Sequence, residues 1–219
     1  MKKNLYLCLV ILLSGMKGLE ALDPVLQTVT KKISLGHYKP KDLTAFEGVM
    51  VSKRIIPDLK RLLAAARKDG LTLKVISGYR SYERQVTLFD SYCTKERLKN
   101  PLLTKSQAQE CANRYSAKPG HSEHQLGTAV DILSKENGYA FSSDSKLQYV
   151  SWLEKNAHVY NFSISYPKDS PEYVYEPWHV RWYPHGHFPT QNSLNTKSSA
   201  ASLIDLPVSS LKVVSASCK

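Results

Sequence analysis

Hydrophobic and polar positions alternate with two different periods along this chain, and each change of period marks an element. From Pro57 onward, Leu59, Leu62, Leu63 and Ala66 share one helical face. Pro57 suits a first turn and Gly70 supplies the stop, so the spacing predicts a helix over 57–70. Leu71, Leu73 and Val75 then alternate with polar partners, which predicts a half-buried strand over 71–76. Ser81 is a fair N-cap for a second helix to about Tyr92, with Glu83 in its first turn. Residues 94–119 read as a basic, polar surface insertion holding a short helix over 106–115. A strand follows over 128–133, with Ala129 and Asp131 on one face and Val130 and Ile132 on the other. Leu147, Val150 and Leu153 mark a helix over 146–156, and residues 159–165 and 174–182 read as the last strands. The order lacks regular strand-helix alternation. It predicts an α+β domain, with helices packed on a small antiparallel sheet.

The two ends have a different character. Met1-Lys2-Lys3, the apolar run Leu5–Leu13 and the small and polar residues up to Ala21 form a signal-peptide pattern, with an apolar run too short for a permanent span. The expected organisation is therefore a signal peptide over 1–21, one domain over 22–188 and a Ser-rich mobile tail over 189–219. Residues 22–45 read as a lead-in, broken at Pro24 and Pro40. The mature protein is expected in the periplasm or outside the cell, associated with the wall and without a permanent membrane span. The net charge of +11 drops to +9 once Lys2, Lys3, Lys17 and Glu20 leave. That charge is compatible with attraction to anionic wall polymers and equally with simple solubility. Nucleic acid is not expected as a partner, because the basic residues are scattered and no aromatic-basic reading motif occurs. With Cys8 gone, Cys93 and Cys111 flank the insertion and are expected to pair in an oxidising compartment, leaving Cys218 over.

Two short stretches carry the chemistry: His121–Asp131, reading HSEHQLGTAVD, and Glu176-Pro177-Trp178-His179. Together they offer two imidazoles and a carboxylate as metal ligands, with a glutamate to spare. That is the donor set of a catalytic zinc with an open fourth position. His124 and Asp131 are seven apart, so an unbroken strand would put them on opposite faces; a turn at Gly127 lets them converge. Asp131 sits inside the apolar run 129–133, where a carboxylate needs a cation or hydrogen-bond donors. His179 opens a strand in which Arg181 shares its face. Glu176 lies three residues earlier, held by the stiff Pro177, as a general base beside the metal; the plainer alternatives are a surface ion pair or a fourth ligand. Arg80, in Ser77-Gly78-Tyr79-Arg80-Ser81, lies where a strand becomes a helix and could pair with a substrate carboxylate or steady an oxyanion. His185 and His187 read as turn residues facing solvent, while His37 and His158 have no distinguishing context.

These motifs resemble the zinc D-alanyl-D-alanine carboxypeptidases of the VanY type. The likeness lies at Ser77–Ser81, at Ser122-Glu123-His124-Gln125 with Gly127, Ala129 and Asp131, and at Tyr175–His179 with Arg181. The resemblance runs from about Glu47 to Tyr183 and implies a hedgehog-like or lysostaphin-like fold carrying one zinc per chain. It implies His124, Asp131 and His179 as ligands, Glu176 as general base, Arg80 as the polarising arginine, and Ser122 and Gln125 near the terminus of the bound peptide. The expected function is removal of the terminal D-alanine from peptidoglycan stem peptides by attack of zinc-bound water. L,D-carboxypeptidase, D,D-dipeptidase and endopeptidase activities remain open, as does a non-catalytic zinc-binding domain. Oligomeric state is not readable.

Overall fold

A computed structural model describes residues 29–186 and 188. The expected signal peptide, the whole of the expected tail with Cys218, and His187 lie outside the described residues. Ten regular elements follow one another. These are β1 (Leu43–Phe46), β2 (Val49–Ser52), α1 (Ile56–Lys68), β3 (Leu73–Ser77), α2 (Tyr82–Lys99), α3 (Lys105–Ala112), β4 (Ala129–Ser134), α4 (Gln148–Asn156), β5 (Phe162–Ile164) and β6 (His179–Trp182). β3, β4, β6 and β5, in that order, form one antiparallel sheet, and β1 and β2 form a separate hairpin. The α+β architecture expected from the sequence is the one observed. No helix among the described residues is long and apolar enough to cross a membrane.

α1 forms where the apolar spacing predicts it. Pro57 lies in its first turn, Leu59, Leu62 and Ala66 are fully buried, and Gly70 takes a φ of +82° just past the C-cap. Each fully buried leucine contributes roughly 1.5–3 kcal/mol. α1 and α4 cover one face of the sheet, joining Val75, Val130, Ile132, Phe162 and Val180 in a single apolar core. Trp182 reaches from that face to donate its Nε1–H to Asp58 on α1, 2.7 Å away. Arg61 and the Asn161 amide also donate to that carboxylate.

Three features depart from the sequence reading. The lead-in runs into the first strand of a β-hairpin: Glu47 and Gly48 both take positive φ, as a tight two-residue turn needs. α2 runs on to Lys99, because a sparse buried stripe of Gln85, Phe89 and Glu96 keeps it docked despite its polar composition. The expected Cys93–Cys111 disulfide does not form. Cys93 is a free thiol half-exposed on α2, whereas Cys111 is disulfide-bonded, to a partner outside the described residues. The physical reason is that Cys111 points into a small core with Leu103 and Ala108, on the buried side of α3.

Candidate metal centre and active site

The central strands set the floor of the site. Asp131 and His179 are register partners on β4 and β6, on the sheet face opposite Val130 and Val180. His124 enters from a 3₁₀ turn, Glu123–Leu126, which ends at Gly127 with a φ of +72°. This is the reversal that brings His124 over the strand bearing Asp131. The hairpin buttresses the arrangement from behind: the Ser52 N–H donates to the Gly127 carbonyl at 2.8 Å, and the Tyr79 N–H donates to the Met50 carbonyl at 2.6 Å. A Cβ on Gly78 would lie 2.4 Å from that Met50 oxygen, so only glycine fits there.

His124, Asp131 and His179 are all buried, and one ligand atom from each lies within 4.8 Å of the others. His124 Nε2 is 3.3 Å from one Asp131 oxygen and His179 Nδ1 is 3.2 Å from the other. The remaining ring nitrogens are occupied elsewhere, His124 Nδ1 by the Gly78 carbonyl at 2.8 Å and His179 Nε2 by Glu123 at 3.0 Å. Burial pushes the Asp131 carboxyl up, but the two imidazoles beside it prevail and hold it well below the usual carboxylate range. Burial likewise lowers His124, which also faces Arg80. His179 has two carboxylates against it, which overcome burial and raise it to about 10. Two nitrogens and a carboxylate oxygen converging in a buried site fit a zinc ion by donor type and number. Among the described residues, this is the group of His, Cys, Asp and Glu side chains that converges in this way.

Above this floor opens a cleft of about 340 Å³, lined by Arg80, Ser122, Glu176, Tyr92, Phe141 and Trp178 among others. Glu176 comes from a turn closed by the His179 N–H donating to the Glu176 carbonyl at 3.1 Å, with Pro177 inside it. Burial, followed by the nearby Asp131 and Glu123 carboxylates, raises Glu176 to about 7 against the opposing pull of His179 and Arg80. Arg80 is braced by Gln85 at 3.0 Å and Ser77 at 3.4 Å. Gln85 itself is fixed by donating to the Ala117 carbonyl at 2.5 Å.

Of the residues predicted from sequence, His124, Asp131, His179, Glu176, Arg80 and Ser122 meet at this cleft. Gln125 does not. It is fully buried on the far side of the 3₁₀ turn, donating to the carbonyls of Gly36 and Tyr38 at 2.8 and 2.9 Å. This corrects its expected place beside the substrate, because neighbouring residues of a tight turn point in different directions. His185 is exposed in a turn, as expected, and His37 packs on Tyr82. Glu123, Gln85 and Tyr166 are additional. The Tyr166 ring stacks on His179, 4.8 Å between centroids. The spacing of Gln85 five residues after Arg80 is a weak signal, and Tyr166 has none.

Two imidazoles and a carboxylate beneath an open cleft, with a glutamate and an arginine at its sides, are the equipment of a metallopeptidase. The family model of VanY, D-alanyl-D-alanine carboxypeptidase, matches residues 48–185, and the chain belongs to that family. YodJ of Bacillus subtilis (strain 168) is 36% identical over 186 residues, which cover 77% of this chain and 63% of that protein. The vancomycin-resistance D,D-pentapeptidase VanY of a VanB-type cassette, solved in complex with Zn(II), aligns with a TM-score of 0.63 and 33% identity. The alignment covers 72% of this chain and 87% of that one. The LD-carboxypeptidase LdcB aligns with a TM-score of 0.61 and 35% identity, over 73% and 77% of the two chains. The chain spans between 38% and 67% of the length of these and other curated relatives it matches.

Proposed function

We propose that this protein is an exported zinc carboxypeptidase that removes the terminal D-alanine from peptidoglycan stem peptides. The observation that carries the reading is the convergence of His124, Asp131 and His179 beneath a cleft that also holds Glu176 and Arg80. His124 Nε2, an Asp131 oxygen and His179 Nδ1 would hold the ion. When bound, zinc supplies a Lewis acid that activates water and polarises the scissile carbonyl.

The protein's own groups do the rest. Glu176, which burial raises to about 7 in the metal-free chain, would take a proton from the attacking water as a carboxylate and return it to the leaving amine nitrogen of D-alanine. Arg80, braced by Gln85, presents guanidinium N–H groups to the carbonyl oxygen as charge develops there, or to the peptide's terminal carboxylate. Ser122, almost fully buried on the cleft wall, would meet the same terminus. The signal-like pattern of residues 1–21 supports export, as does a proposed substrate that lies outside the cytoplasmic membrane.

A second reading, L,D-carboxypeptidase action on a tetrapeptide stem, is favoured by the similarity to LdcB, which is close to that to VanY. Mass spectrometry of defined tri-, tetra- and pentapeptide stems after incubation with zinc-loaded protein separates the two. Pentapeptide shortened by one alanine supports the leading reading, and tetrapeptide shortened to tripeptide supports the second. Binding of a stem without cleavage, zinc being in place, would instead identify a non-catalytic binding domain.

A further inference from the structure

We infer that Glu123, anchored by Arg181, is a positioning residue that fixes His179 as an Nδ1 metal donor. The inference rests on reading the His124–Asp131–His179 group as a metal site. With a metal bound, the two histidines would be held in opposite tautomers. His124 donates Nδ1–H to a backbone carbonyl, that of Gly78, which leaves Nε2 to face Asp131. His179 does the reverse: Nδ1 faces Asp131, and Nε2 points away to a Glu123 oxygen at 3.0 Å. Glu123 is adjacent in sequence to His124, yet it serves the other histidine.

The carboxylate that sets this tautomer is itself fixed. Glu123 is 4% exposed, and its second oxygen accepts from Arg181 Nη1 at 2.9 Å. Arg181 is 1% exposed, two residues along β6 from His179, with its guanidinium 4.9 Å from the centre of the Tyr183 ring. Tyr166 covers the face of the His179 ring. An ion pair buried this deeply is an uncertain source of stability. A carboxylate accepting the distal N–H of a ligating histidine, by contrast, orients the ring and raises its donor strength.

The geometry makes the isosteric variant Glu123→Gln informative. With Arg181 still donating to the amide oxygen, the amide NH₂ turns toward His179 Nε2, which must then accept. The imidazole proton moves to Nδ1 and removes the lone pair from the metal. The experiment measures the zinc dissociation constant of full-length wild type, Glu123→Gln and His124→Ala by chelator competition, with the unfolding midpoint of each metal-free chain. The expected result is a constant 10–100-fold weaker for Glu123→Gln, in a chain whose metal-free form still folds. A constant within twofold of wild type, in a folded variant, overturns the proposal while leaving the metal site standing. Wild type that takes up no zinc, or His124→Ala that binds as tightly as wild type, overturns the reading of the site and this inference with it. If Glu123→Gln does not fold, ¹⁵N spectra of the zinc-loaded wild type decide: zinc on Nδ1 of His179 with a proton retained on Nε2 supports the inference, and zinc on Nε2 refutes it.

Discussion

β4 and β6 present two contrasting faces of one sheet. On one face, Val130, Ile132, Val180 and Trp182 pack against α1 and α4, and the Asp58 carboxylate beside them is satisfied by three donors. On the other, Asp131, His179 and Arg181 are just as buried but carry charge, with Glu123 and Glu176 beside them. The first face uses burial to stabilise. The second spends stability on groups desolvated for chemistry. Substitutions on the two faces should therefore separate folding from function.

The largest effect is expected at the polar face. His124→Ala should remove most of the bound zinc and with it stem-peptide hydrolysis, while the metal-free chain keeps its fold. Elemental analysis of protein purified without added metal checks this, and full zinc retention would break the contrast. Next, Ile132→Ala on the apolar face should lose about 2–5 kcal/mol in denaturant unfolding, yet the folded fraction should take up zinc as wild type does. A change in zinc stoichiometry per folded chain would mean the two faces are not separable. Gly78→Ala should lose about 1–3 kcal/mol, since its Cβ meets the Met50 carbonyl, and should also weaken zinc because His124 Nδ1 leans on Gly78. Unfolding and chelator titrations on the same sample show whether both fall together.

The smallest effect tests the apolar face's own buried carboxylate. Trp182→Phe deletes one donor to Asp58 and should lose about 1–2 kcal/mol near neutral pH. Asp58 is held below its ordinary range: burial opposes ionisation, but the donors from Asn161, Trp182 and Arg61 outweigh it. A lowered carboxyl gives stability that is present above its unfolded titration and lost as pH falls through the folded one. The gap between wild type and variant should therefore narrow in acid, which unfolding curves at two pH values would reveal.

The apolar face is the part of the fold most legible in the sequence, because a period of two needs no knowledge of partners. Val130 and Ile132 announce themselves in this way, and Leu59 and Leu62 do so by the helical spacing of α1. The candidate metal donors are legible for a different reason: Asp131 stands inside the apolar run 129–133, and His124 and His179 stand in the two short motifs. What sequence does not show is direction around a tight turn. Glu123, His124 and Gln125 are consecutive but point to His179, to the metal cluster and to the lead-in respectively. Glu123 acts on a residue 56 positions away. Local spacing likewise hides the extension of α2, whose docking depends on three buried residues in eighteen, and the fate of Cys111, which follows from the way α3 faces and not from its distance to Cys93.

Glu176→Gln tests the contrast most directly, because one substitution should move stability and function in opposite directions. Glu176 titrates near 7 in the fold and near 4.5 when unfolded. Below pH 4.5 the group is protonated in both states and folding is not penalised. Between 4.5 and 7 the unfolded state ionises first, and above 7 the folded chain carries a penalty of roughly 3 kcal/mol. At pH 8 the metal-free Glu176→Gln chain should therefore be more stable than wild type by an amount of that order, and should still bind zinc. Its stem-peptide turnover should fall by about 10²–10⁴-fold. A variant that gains no stability and cleaves at the wild-type rate would contradict the account.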